Sequence, residues 1–456
     1  MIIAGCDCGK DSLHVCVLES IPENLKKFSR SYKPTIVKAN AEGIATLLSI
    51  NADAYAIEPT GHYSRIWVNH IKQAGKRVLL VSPRKVRHFC EYQGMINKAD
   101  RPDAAAIAAY ALENIHKDAF LRGEREDIKD LYLQLNSITK AKNPVVNQIG
   151  QRLGFEFPEM LKTYEGSKRK WLESDPPNPY RWLAGEETFG GRKKDEKLAD
   201  TIGEGLSTHT RGLASQLCQF ERQEYDLERL LQEQLDKACY QPYHEVFDKF
   251  LIPPRIRCCL LSRIYPFDKE FLANGRPVKE YVSGPNSKRK SGMTKRDRSE
   301  GEFKLCLGMG KELKQSGGEW KWKASGCKYA RTAIWLYVRR IVVISKGKGF
   351  AEVLKPIVEA LDKPGVSPWL NAEIVEAIAN LKEIPVPVAA LMVHYEMQTT
   401  KGDQRIQATA SRFCRMLYKA MVKKIGRIDN EVTDSVDMYR LKSQIEHALG
   451  NLCPLD

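Results

Sequence analysis

Four short apolar runs, separated by turns and helical patterns, occupy the first 115 residues, and a chain written this way folds as a sheet covered by helices. Residues 2–8 (IIAGCDC) and 13–18 (LHVCVL) flank a Gly9-Lys10 turn and read as a hairpin. Residues 52–57 (ADAYAI) and 78–81 (VLLV) supply a third and a fourth strand. Between those two, residues 63–74 place Ile66, Val68 and Ile71 at helical spacing. After Pro102 comes DAAAIAAYALENI, rich in strong helix formers. The expectation is an α/β domain with a mixed sheet and flanking helices over residues 1–123.

Beyond residue 124 the pattern turns helical. Ile128, Leu131, Leu135 and Ile138 step by three and four along an amphipathic helix, which Pro144 is expected to kink or end. Residues 163–203 read as a polar connector, with DPPNPY near the middle and GGRKKDEK later. A long helix is expected over 206–238, where Leu213, Leu217, Phe220, Leu227 and Leu231 follow an approximate heptad interrupted by Glu224. That stripe suits an intramolecular hairpin with 126–150 and an intermolecular coiled coil equally well. A helical connector therefore spans 124–249, a mainly α C-terminal domain 250–425, and a polar tail 426–456. Within the C-terminal domain, residues 283–304 read as a mobile basic loop, and helices are expected at 330–344 and 388–425.

Size and charge narrow the class. A chain of 456 residues exceeds one ordinary domain. Lys and Arg outnumber Asp and Glu by 72 to 57, a formal net charge of +15, which favours a polyanionic partner over an acidic metabolite. No run approaches the ~20 apolar residues of a membrane span, so no membrane role is expected. MIIAGCDCGKDS lacks a basic segment followed by a long apolar one, and reads as a strand rather than a secretory signal. The 12 cysteines form no CxxC pair, as expected for reduced thiols in the cytoplasm.

Four carboxylates sit where such a sheet would present them. Asp7 and Glu58 end the first and third strands, and Asp100 and Asp103 lie three apart at the start of the Ala-rich helix. Residues i and i+3 share a helix face. Oxygen-rich clusters of this kind hold Mg²⁺, and paired ions ~3.5–4 Å apart clamp both oxygens of a phosphoryl displacement. Singly, each acid has an ordinary alternative: Asp100 as a helix cap, Asp7 as a turn residue. The combination within about a hundred residues is far more specific.

The motifs D7-C-G-K, A-I-E58-P-T-G-H-Y and N-K-A-D100-R-P-D103-A, spread over residues 1–155, resemble the DEDD transposases of insertion sequences. These are relatives of the Piv DNA invertase that act as bridge-RNA-guided recombinases. The resemblance implies a RuvC-like, RNase H-type fold for the first domain, with Asp7, Glu58, Asp100 and Asp103 as Mg²⁺ ligands. It also implies donor and target DNA, a structured non-coding bridge RNA, and a homo-oligomer, dimer or tetramer, in which one subunit's serine completes another's acidic site. The compartment implied is the prokaryotic cytoplasm, at the nucleoid.

The second half follows the same order. Residues 305–338 resemble the family's C-terminal segment, with Ser316 matching its attacking serine and Lys323, Gly326 and Arg331 following; residues 391–421 resemble its closing helices. A serine hydroxyl is a weak nucleophile until a base or metal eases its deprotonation. Ser-Gly also occurs at Ser283, Ser291 and Ser325, and such a dipeptide is commonly a plain turn. Candidate nucleic-acid contacts are Lys288, Arg289, Lys290, Lys295, Arg296 and Arg298 in the basic stretch, then Trp320, Lys321, Trp322, Lys323 and Arg331. Alternating Trp and Lys suit base stacking beside phosphate contacts, and equally suit two core tryptophans on an edge strand.

Two departures from the family stand out. IPPRIRCC (252–259) lacks the glycines of the usual Pro-Gly turn, and residues 275–303 and 345–387 read as insertions. Three other classes remain to be weighed. A junction-resolving nuclease would use the same acids with water as nucleophile. An actin-like phosphotransferase should carry a second Gly-rich phosphate loop and an adenosine motif, which the sequence lacks. A non-catalytic nucleic-acid-binding protein has no need of four intact acids.

Overall fold

The computed structural model describes residues 1–59, 63–95, 103–117, 120, 123–283, 293–316, 319–344, 375–376, 378–380, 383–396, 398 and 402–426. They fall into two compact units, Met1–Glu126 and Asp127–Asp456.

The first unit is a three-layer α/β/α sandwich. In chain order it holds β1 (Ile3–Cys8), β2 (Ser12–Leu18), α1 (Leu25–Ser31), β3 (Thr35–Lys38), α2 (Ala41–Ser49), β4 (Ala54–Ile57), α3 (Tyr63–Gln73), β5 (Arg77–Leu80), α4 (Pro83–Tyr92) and α5 (Asp103–Asn114). The five strands lie in the order β3-β2-β1-β4-β5, with β1, β4 and β5 parallel and β2 antiparallel to both its neighbours. Parallel strands are covered on both faces, so their residues read as continuous apolar runs. Alternation then sorts the side chains. Ala4, Cys6, Cys8, Tyr55 and Ile57 join Trp67 and Ile71 in one core, while Ile3, Cys16, Ala54 and Ala56 join the alanines of α5 in the other. The mixed sheet expected from the sequence is present. Its edge strand β3 and the helices α1, α2 and α4 add to it.

The approach of α5 to β1 positions everything that follows. Every residue from Ala104 to Ala111 is buried. A Cβ on Gly5 would lie 2.2 Å from the Ala104 carbonyl oxygen and 2.5 Å from the Ala108 nitrogen. Helix and strand meet closely because Gly5 and the alanines offer no bulk. We predict that Gly5→Ala destabilises the first unit by ~2–3 kcal/mol, because backbone rather than a flexible side chain must move. A urea midpoint equal to the wild type's would contradict this.

The second unit is mostly helical. Helix α6 (Gly123–Glu156) leads into α7 (Pro158–Gly166), α8 (Asn178–Leu183), α9 (Gly191–Ala199) and α10 (Thr208–Leu235). One expectation is narrowed here and one corrected. Of the two outcomes open at Pro144, ending the helix does not occur: Pro144 lies inside α6 and is exposed, so the carbonyl it leaves unbonded can face water. The stretch 163–203 is not merely a polar connector, since it carries α8 and α9, and Tyr180, Trp182 and Leu183 are buried.

Helices α6 and α10 pack within the chain, Ile149 and Leu153 sharing a core with Ala214, Leu217 and Cys218. Glu224, which interrupts the heptad, is buried and bonded to Thr139 and Lys142 of α6. Beside it, Arg169 bonds Glu228 through both terminal nitrogens at 2.7 and 2.6 Å and Glu221 through Nε at 3.0 Å. Burying these carboxylates is tolerable because each has charged partners.

The remaining elements are α11 (Gln241–Asp248), α12 (Pro254–Ile264), α13 (Phe267–Phe271), β6 (Leu272–Ala273), β7 (Arg276–Pro277), β8 (Lys279–Ser283), β9 (Met293–Asp297), α14 (Arg298–Cys306), β10 (Gly310–Ser316), β11 (Glu319–Ser325), α15 (Lys328–Arg339), α16 (Val386–Glu396) and α17 (Asp403–Ile425). The strands pair as three separate two-stranded ladders, β6–β7, β8–β9 and β10–β11. One large core joins Ile128, Tyr132, Phe247, Leu260, Phe303, Ile334 and Phe413. The basic stretch 283–304 is therefore not simply a loop: β9 and α14 occupy 293–304, while 284–292 lie outside the described residues. Helices 330–344 and 388–425 are present, the latter as two, α16 and α17. The tail 427–456 lies outside the described residues. Among those described, no helix is long and apolar enough to cross a membrane.

Candidate active site

The site grows from the register of the sheet. Parallel pairing matches Cys6 of β1 with Ile57 of β4. One step further sets Asp7 beside Glu58. Both share the parity of Ile3, Gly5, Ala54 and Ala56, and so fall on the face that α5 covers. On the antiparallel side Asp7 pairs with His14 of β2. Asp103 is the first residue of α5, and the close contact of that helix at Gly5 carries it over the same strand ends. In open α/β sheets, sites form beyond the carboxyl ends of the strands.

The electrostatics agree. Burial pushes the Glu58 carboxyl above its ordinary range, and the charges of Asp103 and Asp7 push it further. Asp7 is also raised by burial, with His14 pulling the other way. The Cys8 thiol is pushed up to about 12, first by burial and then by Asp7 and Glu58. The charges of Asp7 and Asp103 thus act on Glu58 at one edge of the sheet, an environment a cation relieves. All the donors are oxygens, as a hard divalent ion requires. Among the described residues, however, no three His, Cys, Asp or Glu side chains stand as a ready coordination set. The fourth expected acid, Asp100, lies outside those residues.

Sequence reasoning passed over His14. The signal was available: a hairpin turning at Gly9 brings position 14 opposite position 7.

Ser316 belongs to the second unit and closes β10, paired with Glu319 at the start of β11. Between them the sequence has Gly317-Gly318, the composition of a tight hairpin turn; those two lie outside the described residues. The ladder matches Lys314 with Lys321, Gln315 with Trp320 and Leu313 with Trp322. Lys323 is exposed.

The other basic candidates are dispersed. Lys288, Arg289 and Lys290 lie outside the described residues, and Lys295 and Arg296 fall on β9. Arg298 opens α14 and pairs with Glu302 at 2.9 Å on an exposed surface. Arg331, by contrast, donates from Nε to the Gly308 carbonyl at 2.6 Å and from a terminal nitrogen to the Ser325 carbonyl at 3.0 Å.

Comparison with known families bears on the first unit. Residues 4–158, about a third of the chain, match the transposase family model DEDD_Tnp_IS110. No curated protein matches the chain. The matched segment contains Asp7, Glu58, Asp100, Asp103 and the whole β1–α5 arrangement. The match supports a DNA transposase of the IS110 type, and the chain is accordingly an enzyme of DNA transposition and recombination acting on DNA.

Proposed function

We propose that this enzyme cuts and rejoins DNA through a Mg²⁺-assisted site formed by Asp7, Glu58, Asp100 and Asp103, with Ser316 as nucleophile and a structured bridge RNA choosing the sites. The observation that carries the reading is the convergence of Asp7, Glu58 and Asp103 at one sheet edge inside the segment matched by the transposase family. A strand order of β3-β2-β1-β4-β5, with β2 antiparallel, supports an RNase H-like, RuvC-like identity for that domain. We retain the functional division drawn from the sequence: catalytic domain 1–123, connector 124–249, serine-bearing domain 250–425 and tail 426–456.

A divalent cation at this site supplies charge neutralisation for the phosphodiester and eases deprotonation of an attacking hydroxyl. The chain's own part is to hold and position. Asp7, Glu58, Asp100 and Asp103 would ligate the ion. Ser316 Oγ bonds to phosphorus as the phosphorus bond to a deoxyribose oxygen breaks; the serine proton is lost and the leaving oxygen gains one. The phosphoserine conserves the bond energy, so a second deoxyribose hydroxyl can displace the serine and reseal the strand. Dimers or tetramers would let one subunit's serine serve another's acids.

The basic residues around 288–304 and the Lys/Trp alternation at 320–323 suit backbone contact and base stacking, which confer little sequence preference. Base pairing by a bound RNA is then the economical source of specificity. RNase-treated protein is expected to bind DNA weakly and with steep salt dependence. Adding the structured RNA encoded beside the gene should give site-specific recombination that follows its loop sequence when the loop is rewritten. Unchanged recombination by RNase-treated protein would remove the RNA from the account.

A further inference from the structure

The β10–β11 hairpin has an unusual root. Helix α14 ends in a paired cap: Gly308 N–H donates to the Leu305 carbonyl at 2.9 Å and Met309 N–H to the Lys304 carbonyl at 2.8 Å, with Gly308 at φ +78°. This is the Schellman arrangement, which requires a left-handed residue at Gly308. At the far end of β11, Gly326 also takes a positive φ, +91°, before Cys327 caps α15. The two glycines cross in contact. A Cβ on Gly326 would lie 1.8 Å from the Leu305 carbonyl oxygen, and one on Gly308 would lie 2.2 Å from the Cys327 carbonyl oxygen. Arg331, from the first turn of α15, spans this crossing with its bonds to Gly308 O and Ser325 O. The first of those carbonyls lies just before β10 and the second closes β11, where Gly310 pairs with Ser325. Strands of this length carry Ser316 about 20 Å from the crossing, so a small tilt at the root becomes a large displacement at the tip.

We infer that Arg331 is a positioning residue: by tying both roots of the β10–β11 hairpin to α15, its guanidinium fixes where Ser316 stands. The inference rests on the reading of Ser316 as nucleophile. It also separates Arg331 from a plain phosphate contact, because a lysine can still serve a backbone phosphate as a point charge, whereas two divergent carbonyls need the forked guanidinium.

The test uses the full chain with Mg²⁺ and DNA, comparing wild type, Arg331→Lys and Arg331→Met. Three quantities are read: hydrogen exchange of the β10 and β11 amides, DNA affinity, and the rate of covalent adduct formation at saturating DNA. Arg331→Lys guards against a variant that fails to fold, since it keeps the charge and most of the bulk. Both variants should speed exchange in the hairpin and leave DNA affinity within about twofold. They should slow adduct formation by roughly 10- to 100-fold, the scale on which a misplaced reacting group loses rate. A phosphate-contact role predicts the reverse, with weaker binding by Arg331→Met and near-normal behaviour of Arg331→Lys. That pattern, or unchanged hairpin exchange in both variants, overturns the inference. Should the wild-type adduct map to a residue other than Ser316, the nucleophile reading fails, while hairpin exchange still decides whether the clamp exists.

Discussion

In Mg²⁺ buffer, Asp7→Asn and Asp103→Asn are each expected to lower DNA cleavage by at least ~10³-fold, about 4 kcal/mol of lost transition-state stabilisation. A carboxamide keeps the shape of the side chain but not the charge that would hold the ion. Nucleic-acid binding should be nearly intact, because the acids repel phosphate rather than grip it.

Stability supplies an independent sign. Burial and mutual repulsion raise the Glu58 carboxyl above its ordinary value. An acid whose folded pKa is raised favours the unfolded state once the pH passes the unfolded value, and the deficit is complete above the folded one. At neutral pH the metal-free protein therefore carries a penalty at this site. Asp7→Asn should relieve part of it and raise the metal-free Tm by about a degree or more. Cleavage at the wild-type rate, or a clear fall in Tm with loss of fold, would remove these residues from the role assigned to them.

The second large effect concerns Ser316. Ser316→Ala should abolish both strand exchange and the covalent protein–DNA species, since no hydroxyl remains to form the phosphoserine. A structure-selective nuclease using water would be indifferent to the change, so cleavage without exchange in this variant would favour that alternative. The substitution sits at the end of β10, and the variant should retain the wild-type Tm within a degree or so.

How much of this was legible follows from burial. Strands β1, β2 and β4 were visible because they lie inside the sheet and are written largely in apolar residues; β5, at the other edge, was visible because it ends in the apolar run Val78-Leu79-Leu80 and buries the last two. Strand β3 (TIVK) was not, because as an edge strand it buries only Val37. Helices α1 and α2 are short, and each buries two residues on one side, too few to set a period. The carboxylates were legible as a set because strand ends are readable; that Asp103 comes within electrostatic reach of Glu58 depends on the contact at Gly5, which no local pattern announces. In the second unit, Glu224 looked like a break in an apolar stripe, and the burial of Glu221 and Glu228 beside it was not visible at all, since their partners Lys142 and Arg169 lie 50 or more residues away in sequence. In the β10–β11 hairpin, β11 alternates Trp with Lys and was open to either a stacking or an edge-strand reading, whereas β10 is written in Lys, Glu and Gln around a single Leu, without the apolar alternation that marks a half-buried strand. Arg331 looked like one more basic residue; only the crossing of Gly308 and Gly326 shows what its guanidinium holds.

The central claim joins an acidic site in the first unit to a serine in the second, and one measurement reaches it most directly. Full-length protein with Mg²⁺, its RNA and a nicked DNA substrate that prevents resealing should accumulate a covalent protein–DNA species on a denaturing gel. Digestion and mass spectrometry should place a phosphodeoxynucleotide on Ser316, and the species should be absent when Asp7 is replaced by Asn. Cleavage that proceeds with no covalent species, or one that maps to Ser291 or Ser325, would contradict the account.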